Sequence, residues 1–180
     1  DGSTVVGYNR DATRIFEAFR WTAGGGMEGL GDLSGGIFDS RAGGVSSDGS
    51  TVVGYGRSSS GREAFRWTAG GGMEGLGDLP GGNFESQAFG VSGDGSTVVG
   101  YSQGGSGAKA FIWDEVNGMR SILDIIEASG IDMSGWSLRE AASISEDGRV
   151  IVGYGYNGVA GRDEAWRVDF GPLDSGVVPE

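Results

Sequence analysis

The sequence has neither histidine nor cysteine, and Lys109 is its only lysine. Without imidazole or thiolate, Ser-His-Asp and Cys-His catalysis are excluded, as are zinc and copper sites built on those ligands. Lack of cysteine also removes disulfides, which leaves the redox compartment open. No apolar run is long enough to cross a bilayer as a helix, so membrane insertion is not expected. Basic residues are scarce: 13 Lys and Arg stand against 25 Asp and Glu, a formal charge of −12. That balance disfavours nucleic acid, whose phosphates need Lys and Arg, and describes a solvated, self-repelling surface.

What is abundant is glycine, 39 of 180 residues, recurring at fixed places among Val, Phe, Trp and Leu. Such regularity belongs to turns and close packing in a folded protein rather than to disorder. The segment DGSTVVGY begins at Asp1, Asp48 and Asp94 and returns as DGRVIVGY at Asp147. EAFRWTAGGGMEGLGDL begins at Glu17 and Glu63, with degraded copies from Lys109 and Glu164. Units of roughly 46 residues follow, over 1–39, 40–85, 86–139 and 140–175, leaving a tail at 176–180 in a single repeat domain.

Each full unit splits into four strand-like runs, in the second copy 42–46, 51–56, 63–68 and 73–79. The Asp48-Gly49 pair suits a tight hairpin turn. In Ala64-Phe65-Arg66-Trp67 both large rings share one face; Val53 and Tyr55 share a face, with Val52 and Gly54 on the other. Four strands per unit with two packing faces predict an all-β fold, a β-propeller of about four four-stranded blades. The insertion before the last unit carries apolar residues at helical spacing, which predicts one short helix over 121–129.

Glu17-Ala18-Phe19, Glu63-Ala64-Phe65, Lys109-Ala110-Phe111 and Glu164-Ala165-Trp166 resemble the triplet of the HAF repeat, a bacterial extracellular repeat, with Glu or Lys in place of its His. The Gly-Val-Ser-x-Asp-Gly-Ser-x-Val-Val-Gly stretch at 44–54 is similar to that family too. Val178-Pro179-Glu180 resembles the opening of a PEP-CTERM sorting signal. The resemblances imply export and a place at the bacterial surface; they bring no established activity and no catalytic residues.

Candidates for chemistry are few. A carboxylate pair, as in glycoside hydrolysis, would be drawn from Asp114, Glu115, Asp132, Glu140, Glu146 and Asp163, and nothing in the sequence brings two together. No catalytic residue and no cofactor are assigned. Asp48, Asp94 and Asp147 are the calcium candidates, but EF-hand spacing is missing and turn chemistry accounts for them. The Phe and Trp repeated in every unit read as core. Trp136 belongs to no repeat and is the aromatic candidate for ligand contact. In the third unit Lys109, Ile112 and Arg120 replace Glu, Arg and Glu, a changed charge that, if exposed, would suit a subunit or partner contact.

The expectation is a non-enzymatic secreted or cell-surface module that contacts matrix, polysaccharide or protein. The alternatives are a polysaccharide-active enzyme with a carboxylate pair and a self-assembling extracellular structural protein. The chain opens on what should be a second strand, so an upstream repeat, a C-terminal segment or a second chain is expected to complete the first blade. Two chains would then make an eight-bladed ring.

Overall fold

A computed structural model describes residues 2–10, 12 and 15–171. The resemblance to a sorting signal at 178–180 lies outside the described residues. Among the described residues, fourteen strands and one helix follow one another as β1 (Thr4–Arg10), β2 (Phe16–Thr22), β3 (Gly26–Gly29), β4 (Arg41–Val45), β5 (Thr51–Ser58), β6 (Gly61–Thr68), β7 (Gly72–Gly75), β8 (Ser86–Val91), β9 (Thr97–Gly104), β10 (Gly107–Asp114), β11 (Gly118–Ser121), α1 (Ile122–Ala128), β12 (Trp136–Ile144), β13 (Val150–Asn157) and β14 (Arg162–Asp169). They form antiparallel meanders in chain order: β1-β2-β3, β4-β5-β6-β7, β8-β9-β10-β11 and β12-β13-β14. The all-β reading and the single short helix hold.

Pairing register explains the faces. Val52 lies opposite Trp67, Gly54 opposite Phe65, and Trp67 opposite Met73, so these residues share one face, here called the front. Val53 opposite Arg66 and Tyr55 opposite Ala64 share the other, the back. The back of each sheet packs on the front of the next. Val6 and Ala18 meet Val52, Phe65 and Trp67; Val53 and Ala64 meet Val98 and Phe111; Val99 and Ala110 meet Ile151 and Trp166. Phe65 and Phe111 are fully buried, each contributing about 1.5–3 kcal/mol of burial free energy.

The segment leaving each sheet closes the junction with the next. Leu30 and Leu33 enter the first junction, Leu76 and Leu79 the second. The last strand of the second sheet stops at Gly75, short of the expected 79, because the chain turns inward there. Leu76 still donates to the Ala64 carbonyl, but Gly77 donates to Glu63 and Leu79 donates to Ser102 of the next sheet. At the third junction α1 replaces this plug, with Ile122 and Ile126 buried. Ser121 caps it, accepting from the Asp124 N–H at 3.2 Å. Ile112 is part of that core; an arginine there would meet the helix, which accounts for the replacement better than a change of surface charge.

The first strands of the second, third and fourth sheets lie side by side. Each has a bulge, after Ala42, Ala88 and Ala141. A Cβ on Gly44 would come within 2.9 Å of the Phe89 carbonyl oxygen, and one on Gly90 within 3.3 Å of the Ile144 nitrogen. Glycine lets these backbones approach closely.

Candidate contact surface

The tyrosine that ends each VVGY or IVGY run, Tyr8, Tyr55, Tyr101 and Tyr154, meets a set of polar and aromatic side chains. Opposite it in the first strand stand Arg41, Gln87 and Glu140 in the second, third and fourth sheets. The Arg41 guanidinium lies 4.0 Å from the centre of the Phe16 ring, 5.2 Å from Tyr8 and 5.6 Å from Tyr55. A cation held over several rings is attracted by their negative faces. Asp39 accepts from its Nε at 3.3 Å. Tyr8 and Phe16 pack edge to face at 5.8 Å.

In the next junction Arg62 lies 5.1 Å from the Tyr55 ring and donates to Glu85 at 3.0 Å. Tyr101 donates to the same Glu85 oxygen at 2.9 Å, Gln87 donates to the Tyr101 hydroxyl at 2.7 Å, and Phe89 stacks on that ring. Burial, reinforced by Glu85, pushes the Tyr101 phenol up. In the fourth sheet, burial pushes the Glu140 carboxyl up, opposed by a hydrogen bond from Tyr154. The charge of Glu140 in turn raises the Tyr154 phenol. The nearby Arg139 donates to Asp163 at 2.9 Å and lies 5.4 Å from the Tyr156 ring. One repeat position thus runs from cation through amide to anion along the array, always against a tyrosine.

The other candidates sit as follows. Asp48, Asp94 and Asp147 each accept the hydroxyl of the serine two residues earlier. Those bonds lower all three carboxyls, Asp48 to about 2. Among the described residues no three Asp or Glu side chains are grouped to hold a metal ion. Asp114 accepts from Arg120 and Asn117, and Asp132 from Ser134. Of the acids considered for a carboxylate pair, Glu140 lies opposite Tyr154 and Asp163 opposite Tyr156, on strands either side of β13. Trp136 opens β12, half-buried against the core of the third junction. Lys109 and Leu123 take the positions of Glu63 and Gly77, and with Leu138 and Arg139 they line a cleft of about 330 Å³.

From the sequence, Glu140 stood out only as one of six acids for a carboxylate pair, and Arg41 and Gln87 not at all. The signal for them was present: each stands immediately before the alanine that opens the Ala-x-Gly-Val-like run, and the residue changes charge from copy to copy.

No protein-family model and no curated protein matches the chain. Two solved structures are similar in fold. TolB from Acinetobacter baumannii superposes with a TM-score of 0.60 at 13% identity, over 97% of this chain and 41% of that one. A putative TolB from Agrobacterium tumefaciens superposes at 0.61 and 12% identity, over 94% of this chain and 58% of that one. The chain therefore spans roughly half the length of these structures, and its fold is that of a β-propeller.

Proposed function

We propose that the protein is a non-enzymatic β-propeller contact module, secreted or held at a bacterial cell surface, that binds protein or polysaccharide through the arginine–tyrosine surface. The observation that carries this reading is Arg41 over the rings of Phe16, Tyr8 and Tyr55. A guanidinium framed by aromatic rings offers hydrogen bonds to an acidic group and flat apolar area to a sugar or side chain, with few rotors to immobilise. The HAF-like triplets and the fold support surface contact, and three of the six acids considered for hydrolysis, Asp114, Asp132 and Asp163, are already engaged by Arg, Asn or Ser.

The test is calorimetric titration with oligomers of a uronic acid, of a neutral hexose, and with an acidic peptide, comparing the natural protein with Arg41→Ala and Tyr55→Phe. Binding of one probe, weakened tenfold or more by Arg41→Ala with an unchanged circular dichroism spectrum, is the expected result. Binding of none of these probes, or binding indifferent to Arg41, would overturn it. A second reading rests on Glu140, opposite Tyr154 in the fourth sheet, whose carboxyl is raised by burial and is suited to a general acid. Release of reducing ends from the same oligomers, abolished by Glu140→Gln, would favour the enzyme over the contact module.

A further inference from the structure

The first two junctions share a polar fastening that the third lacks, and the substitutions that remove it line one cleft. Phe16 is bridged to Asp39 across the first junction, and Arg62 to Glu85 across the second. Arg62 and Glu85 fill that second contact as an ion pair at 3.0 Å. The Ser40 and Ser86 hydroxyls accept from the N–H of Ala18 and Ala64 and donate to the carbonyls of Gly31 and Gly77. The Glu17 and Glu63 carboxylates accept from the N–H of the same two glycines.

At the third junction each of these positions changes. Strand register puts Ala108 in the place of Arg62 and Lys109 in that of Glu63. Leu138 lies opposite Gly155 as Ser86 lies opposite Ser102, so Leu138 replaces the serine and Ser137 replaces Glu85. Arg139 is an extra residue, bulged between Leu138 and Glu140. The ion pair thus gives way to two small residues, Ala108 and Ser137, and both line the cleft of about 330 Å³. Lys109 cannot lie as Glu63 does: a Cβ on Gly75 would overlap the Glu63 carboxylate, and Ser121 brings a Cβ to that position. The lysine chain runs over Gly104 instead, where a Cβ would lie 3.0 Å from its Cδ. Among the described residues its ammonium has no carboxylate partner.

We infer that this cleft binds a small carboxylate of the size of one sugar acid, its carboxylate held between Lys109 and Arg139 and its ring against Leu123 and Leu138. The two cations are the only charged residues lining the cleft, in a chain whose net charge is −12, so the cleft reverses the sign of its surroundings and draws anions in. Arg139 gives one donor to the exposed Asp163 at 2.9 Å and keeps the rest of its planar fork for a ligand oxygen, while the lysine adds a point charge. The volume falls within the range of ordinary small-molecule clefts, about 300–1,000 Å³. Ser106 and Ser137 line it as well and offer hydroxyls to those of the ring. Arg41 belongs to the first junction, so this site is distinct from the surface around it.

The test is calorimetric titration with galacturonate and with galactose, its uncharged counterpart, on the natural protein, Lys109→Met and Ala108→Arg. Ala108→Arg restores the residue of the second junction and fills the cleft while adding a positive charge. Attraction by charge alone would therefore grow stronger in that variant, whereas a shaped site would be lost. Galacturonate is expected to bind, galactose at least tenfold more weakly, and both substitutions to weaken galacturonate tenfold or more with unchanged circular dichroism. Because Lys109 is the only lysine, lysine-labelled natural protein carries a single Cε resonance, which galacturonate and not galactose should shift; this readout needs no variant to fold. No galacturonate binding at millimolar concentration, equal binding of the two sugars, binding undiminished in Ala108→Arg, or an unmoved Lys109 resonance would overturn the proposal. Arg41→Ala should leave this binding unchanged, so the cleft and the arginine–tyrosine surface fail separately; a loss in that variant would place the uronate on the first junction and sink the cleft as its site.

Discussion

The backbone N–H of Gly93 donates to the carbonyl oxygen of Glu146 across 2.8 Å, while its own carbonyl accepts from the N–H of Ser47 at 3.1 Å. All three residues hold the same place, the variable position of the Ser-x-Asp-Gly hairpin, so one chain of peptide bonds ties three successive hairpins together. A Cβ on Gly93 would lie 2.5 Å from Glu146 Cγ and 2.9 Å from its carbonyl oxygen. Gly93→Ala is expected to force the hairpins apart and cost about 1–3 kcal/mol. Urea denaturation measures the loss. Faster amide exchange at Ser47 would locate it.

Acid titration should expose the hairpin aspartates. The Ser46 hydroxyl holds the Asp48 carboxyl down to about 2 from an ordinary 3.8. A carboxyl lowered by folding contributes stability above its unfolded pKa and loses it as pH falls through the folded one. Between about 3.8 and 2, therefore, folding should weaken as this bond is lost. Ser46→Ala is expected to move the Asp48 titration upward toward 3.8, read from its carboxyl carbon resonance. Titration at the natural value in the variant would show that the serine is not the cause.

Val53 and Val152 permit the same substitution at the same repeat position in two surroundings. Val53 is buried between the second and third sheets; Val152 lies on the open back of the fourth. Val53→Ala is expected to cost about 2 kcal/mol from lost burial and the cavity left behind. Val152→Ala should change stability by less than about 0.5 kcal/mol in dilute protein. Equal costs in paired denaturation curves would mean that Val152 is covered in solution.

Glu140 and Tyr154 should titrate as partners. Glu140→Gln removes the charge that chiefly raises the Tyr154 phenol, so phenolate absorbance should appear at lower pH than in the natural protein. Tyr154→Phe removes the hydrogen bond that opposes burial at Glu140, and that carboxyl should rise further. A carboxyl raised by folding favours the native state below its unfolded pKa, and that contribution is lost as pH rises through the folded one. Absorbance titration and carboxyl resonances check the two halves separately.

Strand positions were legible because they depend on local alternation and turn residues. The runs expected at 42–46, 51–56 and 63–68 appear as Arg41–Val45, Thr51–Ser58 and Gly61–Thr68. The helix expected over 121–129 is Ile122–Ala128, with serines at both caps. Expecting a strand to run on to Leu79 failed because its apolar residues, Leu76 and Leu79, are the same whether they extend a sheet or fill a junction. Arg41 escaped notice for a related reason. Its significance comes from Tyr8 and Phe16 on the preceding sheet, which are brought to it by stacking that no local pattern records.

The linkers that plug the junctions bear on how such an array lengthens. Each plug is covalently part of the sheet it leaves and packs with the sheet it enters, so the stretch that is repeated in sequence need not coincide with what packs as a unit. Duplicating any stretch one period long, wherever its ends fall, supplies one new sheet and one new plug together. Recombination between copies can therefore add or delete a whole junction without choosing its breakpoints, and near-identical neighbours such as the first and second units are what such an exchange leaves behind.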